Sequence, residues 1–343
     1  MRNKLWLAVF VSVGLTFLAP VWAQVCIPPP SGMVSWWPGD GNSNDIRDSN
    51  DGVLQNDATF ANGFVGQSFS FNGSGSYVEV PDSPSLQLLG ALSVDFWVYP
   101  TEHVVSGIVT KVDNAEEGAG WHVGYYGTNL PPAVDPQHVV FTINQSSTTN
   151  TSVSSSANSV PFNTWTHIAA TSDGTTMRLY INGIQVDSAA SPLVLANTFT
   201  TLFGAYQRNG IKEQFFNGLV DEIEFFNRAL TASEIQAIFS AGSAGKCKDA
   251  DGDSVPDTQD DCPNSIVAPT VVIRGCDSGA PNSVSRNGCT ISDRIQQCAA
   301  AAQNHGQWVS CVAHLTNELK KAEIITGQQE GAIQRCAAQA NMP

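Results

Sequence analysis

Over most of its length the chain alternates apolar and polar residues in short runs. Leu92-Ser93-Val94-Asp95-Phe96-Trp97-Val98 and Trp165-Thr166-His167-Ile168-Ala169-Ala170 follow the two-residue period of a half-buried strand. Met177–Ile181 and Ile184–Val186 flank Asn182-Gly183, a pair suited to the two positive φ angles of a tight hairpin turn, and Asp173-Gly174 marks another turn. Gly, Asn, Ser and Thr crowd the intervals between these runs. Regularly spaced short strands with turn signals predict a β-sandwich or barrel from about residue 30 to 245. One short helix closes the region: Thr231 as N-cap, Glu234 as its capping-box partner, Ile235, Ile238 and Phe239 facing inward, and Gly242 at the end.

Beyond residue 264 the period changes to that of helices. Val271–Ile273 reads as one short strand and Gly275–Gly288 as loop. Helices are then expected over Ser292–Ala302, from Gln307 to about Ala322, and over Thr326–Ala338, the last opening on a second capping box. Ile295, Cys298 and Ala302 share a face, as do Trp308, Cys311, Val312 and Leu315, and Ile333 with Cys336. Cysteines on inward faces predict a small α-helical module stapled by disulfides, which so small a core needs. Its motifs leave three roles open: oligomerisation or export, wall attachment, or spacing.

The first residues set the compartment. Arg2 and Lys4 precede an apolar run from Leu5 to Leu18, and Val21-Trp22-Ala23 offers a small-residue cleavage pattern, so residues 1–23 read as a signal peptide. The run is too short for a membrane span, and no membrane insertion is expected after cleavage. Removing Arg2 and Lys4 leaves 14 basic against 31 acidic residues, a net charge of −17. That balance argues against nucleic acid and anionic membranes as partners. All eight cysteines lie outside the signal, with Cys26 alone and seven between Cys247 and Cys336, which fits an oxidising compartment: secreted or cell-surface, or periplasmic.

The strongest chemical signal is Asp249–Pro263. Counting Asp249 as position 1, carboxylates fall at 1, 3, 5, 9 and 12 as Asp249, Asp251, Asp253, Asp257 and Asp260, with Val255 placed to offer its backbone carbonyl at position 7. This is the oxygen-ligand spacing of an EF-hand loop for Ca²⁺, a hard cation that takes 6–8 oxygens. Position 6 is Ser254 rather than Gly, position 12 is Asp rather than Glu, and Pro256 with Cys262-Pro263 would break an exiting helix. The run therefore resembles a thrombospondin type 3 repeat, matching at Asp249, Asp251, Asp253, Asp257, Asp260, Cys262 and Pro263. The resemblance implies one calcium loop over residues 247–263, acting as a local staple. A solvated acidic linker is the plain alternative.

Dispersed markers carry a second resemblance: Trp36-Trp37-Pro38-Gly39-Asp40-Gly41-Asn42, Tyr77–Pro81, Phe96-Trp97-Val98, Asn163–Ala169, Leu179–Gly183, Phe216–Ile223 and Asn227–Leu230. In this order they resemble a laminin G-like, concanavalin A-like jelly roll. The expected fold class is accordingly mainly β: a sandwich over residues 24–246, the calcium loop at 247–263, and a disulfide-rich helical module at 264–343. The termini of such a sandwich lie side by side, which implies a Cys26–Cys247 bridge. The other six cysteines allow 15 pairings, of which Cys262–Cys276 is favoured. Many domains of this fold hold a rim Ca²⁺, which here implies Asp40 and Asp221. Otherwise Asp40 forms an Asx-turn and Asp221 pairs with Arg228.

Concanavalin A-like glycosidases carry paired glutamates on a central strand, and Asp221-Glu222-Ile223-Glu224 is the nearest match. No carboxylate stands at the position of the second catalytic Glu. Glu222 and Glu224 are therefore expected as exposed rim residues, and His122, His138 and His167 as ordinary strand residues. Ligand contact is assigned to Trp121, Tyr125, Tyr126, Tyr206, Arg208 and Asn209, residue types that stack on sugar rings and bond hydroxyls. Gln145–Ser159, small and polar, is expected to be a mobile loop. The functional expectation is a secreted, calcium-binding, non-catalytic recognition or adhesion protein for a glycan or a cell-surface protein. A polysaccharide hydrolase and an inert surface protein are the alternatives.

Overall fold

The computed structural model describes residues 26–102, 105–113, 118–126, 138–146, 149–249, 251–253 and 255–340. Residues 1–23, expected as a signal peptide, and Ser254 lie outside these. In chain order the strands are β1 (Met33–Trp37), β2 (Val53–Gln55), β3 (Thr59–Asn62), β4 (Gln67–Asn72), β5 (Tyr77–Val80), β6 (Leu92–Pro100), β7 (Ser106–Val112), β8 (Gly120–Tyr126), β9 (His138–Asn144), β10 (Asn150–Ser154), β11 (Thr166–Ser172), β12 (Thr176–Ile181), β13 (Ile184–Ala190), β14 (Thr201–Phe203), β15 (Tyr206–Arg208), β16 (Ile211–Glu213) and β17 (Asn217–Phe226). They form an eight-stranded sheet, β13-β12-β11-β6-β17-β4-β3 with β1 also on β17, a seven-stranded sheet, β10-β9-β8-β7-β14-β5-β2, and a separate β15-β16 hairpin. The expected sandwich is present, with every strand pair antiparallel.

The inward positions of the alternating runs fill the space between the sheets. Trp37 is fully buried, its ring edge-on to Phe203 at 5.1 Å and to Phe225 at 5.0 Å, and its Nε1 donates to Asn50 O at 2.8 Å. Each such side chain contributes about 1.5–3 kcal/mol by leaving water. The hairpin expected at Asn182-Gly183 joins β12 to β13 with φ of 50° and 77°. Helix α1 (Ala232–Ala241) starts on the expected Thr231–Glu234 capping box. It buries Ile235 and Ile238 beside Met33, Trp36, Tyr180 and Phe226 on the outer face of the eight-stranded sheet.

Strand β17 has a discontinuity that matters below. Asn217–Val220 pair with β4, Ile223–Phe226 pair with β1, and the register against β6 shifts between Asp221 and Glu224. Glu222 occupies the bulge at φ 53°. A bulge adds a residue to one strand and re-aims side chains, and here it turns acidic residues inward.

The C-terminal module has its own apolar core. A hairpin of β18 (Thr270–Ile273) and β19 (Cys276–Pro281) packs on α2 (Ile291–Ala301), α3 (His305–Lys321) and α4 (Gly327–Gln339), burying Val271, Ile295, Trp308, Val312 and Ile333. The three helices lie where their periodicity puts them. The bridges are Cys26–Cys247, Cys262–Cys289, Cys276–Cys336 and Cys298–Cys311. The first agrees with expectation and Cys262–Cys276 does not. Cys276 opens β19, which lies against α4 and so meets Cys336, whereas Cys262 meets the residue just before the α2 N-cap. The segment 275–288 expected as loop contains β19. Within Gln145–Ser159, expected to be mobile, Asn150–Ser154 form β10, a polar edge strand that buries only Val153.

Candidate functional site

The outward face of the seven-stranded sheet carries a recess of about 240 Å³ lined by His122, Val140, Thr142, Asn144, Asn150, Ser152 and Tyr206. Strand register builds it. His122 on β8 lies opposite Thr142 on β9, which lies opposite Ser152 on β10; one step along, Asn144 faces Asn150. The Thr142 and Ser152 hydroxyls are 2.8 Å apart. The Asn144 Oδ1 atom is buried without a hydrogen-bond partner. Among the described residues, no Asp, Glu, Lys or Arg lines the recess, although the chain carries a net charge of −15. Burial lowers the His122 pKa to about 4, so the ring is neutral across physiological pH.

One wall is the β15–β16 hairpin. Tyr206 stands edge-on to His122 at 5.1 Å, and the hairpin is fastened by Gln207 Nε2 and Gly210 N, which both donate to Asp113 Oδ2, at 2.9 and 2.8 Å. The expected ligand residues are therefore divided. Trp121 and Tyr125 face the opposite way, into the core, where Trp121 meets Phe225 and Tyr125 stacks on Phe216. As strand residues one position from His122 and Gly124, they point to the other side of the sheet. Tyr206 is in the recess but largely buried, leaving little ring for stacking. Arg208 pairs with Glu213 at 3.0 Å, and Asn209, at φ 50°, is a turn residue of the hairpin. The Tyr126 side chain lies outside the described residues.

A second cluster lies beneath α1 and the segment leaving the sandwich. Asp95, His167, Glu222, Glu224 and Lys246 are buried there, contrary to the expectation of exposed rim glutamates. The β17 bulge and the cover of α1 are the reason. His167 Nε2 lies 2.8 Å from Asp95 Oδ2, and Lys246 Nζ lies 2.7 Å from Glu224 Oε1 and 3.7 Å from Asp95 Oδ1. Lys248 Nζ bridges Glu222 Oε1, at 2.9 Å, and Asp40 Oδ2. Trp36 Nε1 donates to Glu222 Oε2 at 3.0 Å. Burial, opposed by Lys246, raises the Glu224 pKa well above the usual carboxylate range.

Asp40 and Asp221, expected as rim calcium ligands, both fasten one turn instead. Asp221 Oδ2 accepts from Phe64 N at 2.7 Å and Val65 N at 2.9 Å, and Asp40 Oδ1 accepts from Gln67 N at 2.7 Å. Gly66, at φ 67°, makes room: a Cβ there would sit 2.4 Å from Asp40 Oδ1. Burial, then the neighbouring Glu222 charge, raise the Asp221 pKa to about 8. Lys248 Nζ also lies on Asp40 Oδ2, so both carboxylates have partners within the chain. Arg228 pairs with Glu234 at 2.6 Å rather than with Asp221.

The acidic loop behaves differently. Ligand oxygens of Asp249, Asp251 and Asp253 come within 4.8 Å of one another. Asp253 Oδ2 and Asp260 Oδ2 are buried without hydrogen-bond partners. Burial raises the Asp253 pKa, as do the charges of Asp251, Asp260 and Asp249. Three carboxylates thus converge, with Asp260 near enough for its charge to act on Asp253, and this oxygen donor set fits Ca²⁺. Val255 N donates to Asp253 Oδ1 at 2.7 Å, and Asp257 N to Lys248 O at 2.7 Å. Outward of the loop, Asp251 Oδ2 accepts from Ser265 N at 2.6 Å, and Ser265 Oγ donates to Asp293 Oδ2, the capping carboxylate of α2, at 2.6 Å.

Residues 72–236 match the family described as the concanavalin A-like lectin/glucanases superfamily. The sandwich has a concanavalin A-like fold. Solved structures similar to it include the binding domain of paraclostridial mosquitocidal protein 1 (17% identity, 61% of this chain and 52% of that one, TM-score 0.48). Another is domain 4 of AbnA, a GH43 extracellular arabinanase from Geobacillus stearothermophilus, in complex with arabinotriose (19%, 60% and 97%, 0.47). A third is the binding domain of botulinum neurotoxin DC in complex with SialylT (16%, 62% and 52%, 0.46). The chain spans about half the length of the two toxin domains. No curated protein matches it. Among the described residues, no helix is long and apolar enough to cross a membrane.

Sequence reasoning missed the recess of this sandwich because His122, Thr142, Asn144 and Ser152 are scattered over three strands. The available signal was the polar face of Gly120–Tyr126, read there for its aromatics. The lysine–carboxylate cluster was missed because nothing local in Lys246-Cys247-Lys248 reveals that both lysines turn inward.

Proposed function

We propose that the protein is a secreted, non-catalytic recognition module that holds the hydroxyl groups of a neutral glycan in the recess of the seven-stranded sheet. The observation that carries this reading is the recess itself: amide and hydroxyl side chains without formal charge around the buried, partnerless Asn144 Oδ1. Such groups match the donors and acceptors of a sugar. An anionic glycan would find no cation among the described lining residues and would meet an acidic surface. Lectins and glucanases share the fold, so the site and not the fold must decide between them. Glu222 and Glu224, the nearest approach to a hydrolase pair, are engaged by lysines beneath the other sheet.

Calcium is proposed for the acidic loop, with Asp249, Asp251, Asp253 and Asp260 as ligands and the Val255 carbonyl and Asp257 completing the set. The ion would supply positive charge where four carboxylates otherwise repel. The surrounding residues then couple the two halves of the chain: Lys248 reaches Asp40 in the sandwich, and Ser265 reaches the α2 cap. Four disulfides accord with an extracellular site of action.

The test is affinity electrophoresis of the mature protein against neutral and anionic polysaccharides, followed by calorimetry on the best oligosaccharide. Retention by a neutral polysaccharide is expected. Asn144→Ala and Thr142→Val should each weaken binding at least tenfold while leaving the near-UV spectrum unchanged. Binding to no member of the panel, or undiminished binding by Asn144→Ala, would sink the reading in favour of a protein ligand or an inert role.

A further inference from the structure

Lys246 and Lys248 flank Cys247 in an extended segment, so their side chains project to one side and the cysteine to the other. The Cys26–Cys247 bridge holds that segment against the sandwich, together with Ile27 N donating to Gly245 O at 3.1 Å and Cys247 N to Ile27 O at 2.8 Å. Both ammonium groups enter the carboxylate cluster left by the β17 bulge. Lys246 takes Glu224 and Asp95, with the Trp36 ring at 5.9 Å, and Lys248 takes Glu222 and Asp40. We infer that these two lysines are the sandwich's built-in cations. Lys248 holds the position at Asp40 and Glu222 that a divalent ion would otherwise fill, so the sandwich binds no metal and calcium acts only in the loop that follows.

Charge and geometry support this. Buried carboxylates need a compensating positive charge close by. An ammonium donates three hydrogens toward separate oxygens, as a metal ion accepts several. A metal can be lost to chelation, but a lysine fixed by a disulfide one residue away cannot leave. The arrangement also divides the chain's calcium response. The recess and the sheets behind it keep their shape without calcium, while the loop and its link to α2 depend on it. Asp40 and Asp221 do not form a calcium pair here, because one is bound by Lys248 and the other by the backbone of residues 64 and 65.

The experiment is calorimetric Ca²⁺ titration of the full mature chain, with all four disulfides confirmed by mass. The wild type should bind one ion, and Asp251→Asn with Asp253→Asn should bind none. Adding Lys248→Met to that double variant should restore one ion, which Asp40→Asn then removes; adding Lys248→Arg instead should restore none. If the double variant retains an ion that Asp40→Asn abolishes, the sandwich has its own metal and the inference fails. It fails also if a folded Lys248→Met variant takes no ion. Should Lys248→Met not fold, the double variant with and without Asp40→Asn still decides.

Discussion

His122 gives the sharpest test of the recess. Its side chain is 3% exposed, and burial lowers its pKa from 6.5 to about 4. The unfolded chain takes up a proton on this residue as the pH falls below about 6.5, whereas the folded protein resists until about 4. A depressed folded pKa therefore contributes stability that is complete above pH 6.5 and is lost as the pH falls toward 4. At 1.36 kcal/mol per pH unit, the gap amounts to about 3 kcal/mol. Urea denaturation of the wild type and His122→Gln at pH 7.5, 6.5, 5.5 and 4.5, at fixed calcium, measures it. The wild type should lose about 2–3 kcal/mol more than the variant between the first and last of these. Other groups titrate alike in both proteins, so the difference belongs to His122. Parallel profiles would mean that the ring titrates as it does in water. The recess would then be open and hydrated, and its polar groups would offer a ligand no dry contact.

Two further outcomes follow from the sandwich. Asp221 has the opposite sign: its folded pKa is raised to about 8 from 3.8, so its contribution is complete below about pH 4 and is lost as the pH rises to about 8. Asp221→Asn should remove that loss and leave the protein relatively more stable at pH 8, which a stability profile from pH 5 to 8 would check; an unchanged slope would refute it. Cys26→Ser with Cys247→Ser opens a link between residues 221 apart, worth about 5 kcal/mol in the chain-entropy model. A chemical-denaturation loss under about 1 kcal/mol would show that the strand pairing of the sandwich alone holds its ends together.

Much of the architecture was legible because local rules agreed with the tertiary answer. The Asn182-Gly183 turn, the Thr231–Glu234 box and the three C-terminal helices each rest on residues within a few positions of one another, where backbone preference and capping act. The Cys26–Cys247 bridge was legible at long range only because the fold implied adjacent termini. What escaped depended on register. Trp121 and His122 are neighbours in sequence, yet one lies in the core and the other lines the recess, and only the phase of β8 against β7 and β9 decides which. Aromatic residues were expected at the ligand site by type, but in this sandwich Trp121 and Tyr125 serve as core.

The acidic residues show the same limit in electrostatic form. Sequence alone assigns Asp253 to a calcium loop by its spacing and leaves Glu222 and Glu224 as exposed rim residues. In the fold, the β17 bulge aims the first two at Lys248 and Lys246, so their charge is met within the chain. Asp253 instead lies with Asp249 and Asp251, and the charges of Asp251, Asp260 and Asp249 add to burial in raising its pKa. The difference comes from the two lysines bracketing Cys247, one residue before the acidic loop begins. That boundary separates carboxylates met by lysines of the chain from the acidic loop for which calcium is proposed. The calcium proposed for the loop would sit at the joint, next to the α2 cap, and the recess lies on the opposite sheet.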